Sequence, residues 1–519
     1  MDELSAAREH IQAGRLVEAV AVLKELSAAR PCDSPALVLL GQSLLGLGRI
    51  DEALTTFENA AEIDPNSADS RLGLGIALSA KARTTEALYS VKEAARLQPE
   101  NALTHLILGG LLRDLGRPEE ALAACDIAVR LNSDIPEAHH RRGNALDDLC
   151  RFPEAIAAYQ ETLIRNSKHF DAINNLGASL GKLGQVEDAL ACFDHLLKSH
   201  SDHYSPHMNR ALVWLSQGDY PRGFNEFEWR WKIPGNSPRA RRKPSWKGER
   251  LEGRTILLHA EQGLGDTMQF IRYVPLLKVW GARVLVECPE PLHRLFQPCL
   301  GIDALSVRGE APQEHDFHAP ILSLPRLFKT TLETVPASVP YLAPEPASVE
   351  RWRQRLSKRP GFRIGIVWQG DPTHHRDRVR SFRLSHFETL ASLDEIRLIR
   401  LQKGFGSEQI ATWRGEVPIE DPEAIAAGDW VDFQDTAGIM ANLDLVITPD
   451  TSPAHLAGAL GIPVWVVLPY SAEWRWLVGR EDSPWYPSAR LFRQREPGNW
   501  TELFGRVVTE LKSRVGVVS

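Results

Sequence analysis

Five short stretches of this 519-residue chain carry residues whose types and spacing suit chemistry. The first is Glu261-Gln262-Gly263-Leu264-Gly265-Asp266, which follows a short apolar run and opens a helical pattern. Its glycines allow a tight turn, and Asp266 falls at the helix start. A carboxylate there is either a helix cap or a general base facing a cleft, with Gln262, Gly263 and Gly265 beside it. No third glycine follows, so the loop is not a dinucleotide fingerprint.

The second stretch runs from Trp368 to Ser381 and is dense in donors. Arg378, Arg380 and Ser381 have the character needed to hold a diphosphate, and His374 stands in the same loop. So long a polar insertion after a strand is more often functional than idle. His374 and His375 have no third ligand at helical or hairpin spacing, so zinc is not expected. The third is Gln402-Lys403-Gly404, where Lys403 is either a point charge for phosphate or a surface lysine. The fourth is Thr448-Pro449-Asp450-Thr451-Ser452-Pro453-Ala454-His455. Here Ser452 is expected to cap a helix and Pro453 to be its first residue. A helix start suits phosphate, and capping leaves His455 unexplained. The fifth is Glu473-Trp474-Arg475-Trp476, continued by Arg480-Glu481-Asp482 and Trp485-Tyr486. Exposed, it would be a sugar-stacking platform; buried, it would pack two halves together, which is the favoured reading. Asp-x-Asp and a GxxxxGK[ST] loop are missing from the sequence, and the G-x-S-x-G match at Gly177 to Gly181 falls inside a helical repeat, not at a strand-to-helix elbow. A metal-dependent nucleotide-sugar site, an ATPase and a serine hydrolase thereby lose their best evidence.

The elements that must position these loops follow from periodicity. Strands are expected at 255–259, 284–287 and 317–321, with a helical pattern over 267–280. After a proline-rich stretch (Pro336, Pro340, Pro344, Pro346) a second alternating set follows. Its expected strands are 363–368, 396–401, 430–433, 443–448 and 464–468, and its expected helices lie near 386–393, 406–414, 436–441 and 454–460. Alternation of this kind implies parallel sheets. Two such sets, 254–340 and 361–519 with a hinge at 341–360, would leave a cleft at the strands' carboxyl ends, where open α/β sheets bind ligands.

The first 232 residues are different. Gly14, Gly48, Ala82, Gly116, Cys150, Gly184 and Gly218 are each 34 residues apart. Ala19, Ala53, Ala87, Ala121, Ala155, Ala189 and Gly223 keep the same step, and so do Gly41, Gly75, Gly109, Gly143 and Gly177. That period with helical spacing inside marks a helix–turn–helix solenoid of tetratricopeptide (TPR) type, here six to seven units. Glycine inside a helix is unfavourable, so its recurrence implies that helices cross closely there. Phe57, Val91, Cys125, Tyr159, Phe193 and Phe227 would be the knobs they face. All 14 tryptophans lie at Trp214 or later, and the last unit, ending Phe227-Glu228-Trp229-Arg230-Trp231, reads as one that docks on the next domain. Residues 233–253 read as a linker whose basic centre, Arg239-Ala240-Arg241-Arg242-Lys243, is either a solvated connection, the favoured reading, or a contact for phosphate or an acidic partner.

A net charge of −7 excludes a nucleic-acid binder by bulk charge. The six cysteines form no CxxC pair, which reads as reduced, cytoplasmic packing. No signal peptide or transmembrane run is expected.

Gly263-Leu264-Gly265-Asp266 through Pro275 resembles the first loop and helix of the heptosyltransferase-like glycosyltransferases, family nine, and Asp450-Thr451-x-x-x-His455 resembles their second-half motif. The whole of 251–494 resembles the catalytic half of bacterial TPR–glycosyltransferase fusions, including Trp368 to Ser381, Asp435-Thr436 and the Trp474 to Tyr486 stretch. The resemblance implies a GT-B fold of two Rossmann-like halves, acceptor on the first and nucleotide sugar on the second, with no metal or other cofactor. It implies Asp266 as the base of an inverting transfer. Asp450, Thr451, Ser452 and His455 would surround the donor, with Lys403 as a phosphate cation. The layout is also similar to protein O-GlcNAc transferase, whose groove carries an asparagine ladder. The corresponding positions here are Leu39, Gly73, Ile107, Arg141, Asn175 and Asn209, so only the last two match. The expected function is transfer of a sugar to an acceptor, a protein or peptide held on the concave face of the repeats. Transfer to a lipid-linked or surface glycan and a non-catalytic scaffold are the alternatives.

Overall fold

The structure, a computed structural model, describes residues 3–236, 243–311, 313–357, 359–374, 376–391, 393, 395–425 and 428–515. The basic centre of the linker, Arg239 to Arg242, and His375 lie outside the described residues. The chain divides into two compact units, Met1–Ser199 and His200–Ser519.

The first unit is a run of paired helices, from Glu3–Gln12 to Val186–Ser199. The 34-residue ruler has a backbone cause. Gly14, Gly48, Ala82, Gly116, Cys150 and Gly184 all have φ between 58° and 80°. They are the left-handed residues that end the first helix of each pair. The interior glycines have a packing cause. A Cβ on Gly41 would meet the Phe57 ring at 2.7 Å, on Gly143 the Tyr159 ring at 2.5 Å, and on Gly177 the Phe193 ring at 2.8 Å. A further 34-residue repeat lies on the surface, where Arg49, Arg83, Arg117 and Arg151 each pair with the glutamate three residues on.

The second unit begins with one more helix pair, Tyr204–Ser216 and Tyr220–Glu226, followed by a 3₁₀ turn at Phe227–Lys232. Two parallel sheets follow. The first contains β1 (Thr255–His259), β2 (Arg283–Cys288), β3 (Ala304–Val307) and β4 (Phe317–Pro320) in the order β3-β2-β1-β4. The second contains β5 (Phe362–Ile366), β6 (Ile396–Arg400), β7 (Ile419–Glu420), β8 (Leu445–Pro449), β9 (Val464–Leu468) and β10 (Ala489–Arg493) in the order β10-β9-β8-β5-β6-β7. Every pairing in both sheets is parallel. One apolar core runs from Tyr220 and Phe224 through β1 and β2 to Val446, Val466 and Trp485. A second core lies between the second sheet and the amphipathic helix Trp500–Val515, around Phe382, Phe387 and Phe504.

Several elements differ from the sequence reading. No strand forms at 430–433, because Asp432 accepts the amide of Gln434 and starts the helix Phe433–Met440. The expected helices near 386–393 and 406–414 are short 3₁₀ turns, Leu384–Thr389 and Ser407–Thr412. The helical pattern over 267–280 starts earlier, at Leu264, and is broken by a 3₁₀ turn at Ile271–Tyr273 before Pro275. The stretch read as a hinge contains the helix Pro346–Leu356, whose Trp352 is fully buried. Strands β3, β7 and β10 carried no legible signal. Within the stretch read as linker, Trp246 is buried and its amide bonds the carbonyl of His318 on β4 at 2.9 Å.

Candidate functional site

The loops that follow β1, β5, β6, β8 and β9 line one cleft of about 990 Å³. It lies at the carboxyl ends of the strands, as the parallel topology dictates. Gln262, Gly263, Gly265, Asp266, His374, Arg380, Lys403, Asp450, Thr451, Ser452 and His455 are all part of its wall. Arg378 and Ser381 are not. Arg378 is exposed. Ser381 is used inside its own loop, where its hydroxyl accepts the Gly370 amide at 2.9 Å and donates to Asp377 at 2.8 Å. Asn175 lies in the first unit, and Asn209 lies on the first helix of the second.

Asp266 is the third residue of the helix Leu264–Phe270, and Gly263 holds the cap position. The carboxylate is fixed at both oxygens. Oδ2 accepts the Gly263 amide at 3.0 Å, and Oδ1 pairs with the guanidinium of Arg475. Arg475 is buried and also donates to Gln269 at 2.9 Å and Glu473 at 2.8 Å. The sequence reading placed Arg475 in a buried packing segment and did not connect it to Asp266, from which 209 positions separate it. A charged residue between two buried tryptophans is the signal that marks it.

Across the cleft, the helix Ser452–Ala459 opens at Thr451, which takes the cap position expected of Ser452. Thr451 makes no side-chain cap; its hydroxyl lies 3.3 Å from that of Thr448. Ser452 is thus the first helical residue and Pro453 the second, one position later than expected. Arg380 donates to the carbonyl of Asp450 at 3.0 Å, which ties the second loop to the fourth. Lys403 gives its ammonium to the carbonyls of Trp430 and Val431, so it also braces the wall. Its neighbour Gln402 is the more completely used residue. It accepts the amides of Trp368 and Gln369 and donates to the carbonyls of Gln369 and Phe405.

His455 packs against Gly265 and bonds the Tyr486 hydroxyl at 2.9 Å. A Cβ on Gly265 would lie 2.6 Å from its ring. Gly265 therefore serves close approach between the two halves as well as the turn. Gly265→Ala is expected to lower stability by about 1–3 kcal/mol, the usual range for overpacking, read as a fall in Tm.

Burial, followed by the charges of Arg475, Arg272 and Arg380, holds the His455 pKa well below its ordinary value. The unfolded chain takes up this proton below about pH 6.5 and the folded chain does not. The stability His455 contributes is therefore present above that pH and lost as pH falls. Asp450 behaves oppositely: burial first, then Glu473, raise its pKa. Its contribution is present below the unfolded value and lost as pH rises through the folded one. Asp450→Asn is expected to raise Tm in neutral and alkaline buffer, with the gap closing in acid, and His455→Gln to flatten the acid limb of Tm against pH.

The groove asparagine is committed internally. Asn175 donates to Asn144 Oδ1 at 2.9 Å and to His140 Nε2 at 3.3 Å, and Tyr159 donates to the same Asn144 oxygen. The fold also brings together Glu137, His140 and His169, with ligand atoms within 4.8 Å of one another. The reading of the sequence found no metal-ligand set, since His169 is 32 positions from Glu137. Ala172 donates its amide to His169 Nδ1, and Asn175 donates to His140 Nε2. Those bonds leave each ring hydrogen on the nitrogen facing Glu137. Burial opposes the charge of Glu137, but hydrogen bonds from His140 and Arg141 outweigh it and bring its pKa to about 2.

Tetratricopeptide repeat models match residues 10–71, 72–136 and 174–228. The first part of the chain is accordingly a TPR solenoid, a fold that serves protein–protein interaction. The chain is 29% identical over 327 residues to Protein FlbA of Caulobacter vibrioides, covering 58% of this chain and 54% of FlbA. It thus spans about half the length of that curated relative. Similar solved structures include YrrB, described as a TPR protein with an unusual peptide-binding site. It is 24% identical and covers 36% of this chain and 95% of its own, with a TM-score of 0.32. A thermophilic TPR protein of Thermus thermophilus is 25% identical and covers 34% of this chain and 97% of its own, with a TM-score of 0.30. Among the described residues, no helix is long and apolar enough to cross a membrane.

Proposed function

We propose that the chain is a cytoplasmic glycosyltransferase of GT-B type that moves a sugar from a nucleotide sugar to a protein acceptor recruited by the TPR repeats. The observation that carries the reading is the opposition of two unlike walls across one cleft. One wall presents Asp266, fixed at both oxygens, on the sheet of β1 to β4. The other presents the start of the helix Ser452–Ala459 with Arg380 beside it, on the sheet of β5 to β10. Asp266 serves as general base for the acceptor hydroxyl. Helix amides and Arg380 stabilise the departing nucleotide electrostatically, without a required metal. Direct displacement on this geometry inverts the anomeric centre.

The test is nucleotide release from a panel of sugar nucleotides, with and without chelator. Release from one donor that persists in chelator is expected. Release that needs added divalent metal would contradict the metal-independent reading, and no release from any donor would contradict transfer itself.

A further inference from the structure

We propose that Arg475 is the positioning residue for the Asp266 carboxylate, and that the helix pair at 204–226 holds Arg475 in place. The inference rests on the transferase reading and adds to it a control on the base. Arg475 lines the cleft with only a small part of its surface, since its side chain is 9% exposed. All three guanidinium nitrogens are used: Nη2 on Asp266, Nε on Gln269 and Nη1 on Glu473. Two of those partners stand on the helix that carries Asp266, so the arginine fixes that helix and the carboxylate together.

The segment that delivers Arg475 is gripped from the other side. Trp474 lies under the Arg475 guanidinium at 4.4 Å, and its ring meets Phe224 edge-on at 5.5 Å and Tyr220 at 6.4 Å. Trp476 stacks on His455 at 5.6 Å. Val478 donates its amide to the carbonyl of Ser216 at 3.1 Å, and Trp485 donates its indole N–H to the Tyr220 hydroxyl at 2.9 Å. Leu477 is held at φ 50°, ψ 176°, a conformation that non-glycine residues adopt only when their surroundings enforce it. Arg493 supplies part of that enforcement by donating to the carbonyls of Trp476 and Leu477. A second arginine from the Asp266 side repeats the tie: Arg272 donates to the carbonyl of Trp485 at 2.6 Å from within a cage of Tyr341, Trp485 and Tyr486. The last repeat-like pair is thus connected to the carboxylate assigned as base through Trp474 and Arg475, and to the turn after its helix through Trp485 and Arg272.

The other charged or titratable groups lining the cleft are Asp371, His374, Arg380, Lys403, Asp432, Asp450, His455 and Glu473. All are kept in the test, so a change in kcat at unchanged donor KM reports on Arg475. The experiment measures nucleotide release against donor concentration in the full chain, for the wild type, Arg475→Gln, Arg475→Lys and Tyr220→Phe. Arg475→Gln is expected to lower kcat at least about tenfold with the donor KM unchanged, because the carboxylate is misplaced, and Arg475→Lys is expected to restore part of that loss. Tyr220→Phe is expected to lower kcat about tenfold with the donor KM unchanged, because the reacting groups are misplaced and donor contacts are kept. A raised donor KM in place of the fall in kcat, an Arg475→Lys variant no more active than Arg475→Gln, or an unchanged kcat in Tyr220→Phe overturns the proposal.

If the wild type releases nucleotide from no donor, the transferase reading fails separately. The coupling is then read from Tm with Asp266→Asn and Arg475→Lys, singly and together. Non-additive changes support the positioning contact, and additive ones overturn it.

Discussion

A chain beginning at His200 is expected to fold as one cooperative unit, and a chain beginning at Ile233 is expected to aggregate. The second boundary is the one that the repeat pattern suggests, since the ruler runs on to Gly218 and Gly223. The structure assigns the last helix pair to the α/β unit instead. Tyr220, Phe224 and Phe227 are 0%, 3% and 6% exposed and belong to the same core as Trp474 and Trp485. Removing three such side chains loses roughly 1.5–3 kcal/mol each. Arg230 goes with them. It is 1% exposed and pairs with Glu261 through Nε at 2.9 Å, while also donating to Ser323. Its loss strands a buried carboxylate, a change that costs about 3–5 kcal/mol. Together these exceed the lower part of the usual range of domain stability, about 5–15 kcal/mol. Circular dichroism and a thermal melt of the two truncations check the expectation. Equal folding of both would contradict the assignment of the last pair.

Asp266→Asn is expected to lower nucleotide release by about 10²–10⁴-fold, the range supplied by a general base. Asparagine keeps an oxygen for the Gly263 amide and removes the proton acceptor. It also removes the anion facing Arg475, so a modest fall in Tm accompanies the kinetic loss. Arg475 retains Glu473 and Gln269, which limits that fall. Turnover surviving within tenfold in a folded variant would mean that Asp266 is not the base.

Much of the architecture was legible because the residues that encode it are local. A left-handed residue every 34 positions and a glycine facing an aromatic knob are visible in one dimension, and so are apolar runs that end in polar loops. The loops at 261–266 and 448–455 were found for the same reason: both are strand-to-helix turns, where glycine, proline and capping residues cluster. What was not legible depends on contacts between distant residues. Gly265 reads as a turn residue, yet its hydrogen is also where His455 fits. Arg475 reads as part of a packing segment, although it reaches Asp266 across 209 positions. Lys403 reads as either a phosphate cation or a surface lysine, and its bonds to the carbonyls of Trp430 and Val431 join positions too far apart in the chain to be read locally. The apolar stretch at 430–433 reads as a strand because nothing local shows that Asp432 caps a helix there. The short edge strands β3 and β7 were missed because four and two residues are too few to show a period.

The central claim is that the cleft holds a nucleotide sugar, and ligand-dependent thermal stability of the full chain tests it most directly. The panel is sugar nucleotides and their free nucleotides, each with and without Mg²⁺. A ligand that binds only the native state raises Tm, by an amount set by its concentration over Kd. The account predicts a rise with one nucleotide class that is the same with and without Mg²⁺ and is lost in a double substitution of Arg380 and Thr451. No rise with any member of the panel, or a rise that survives that double substitution, would contradict it.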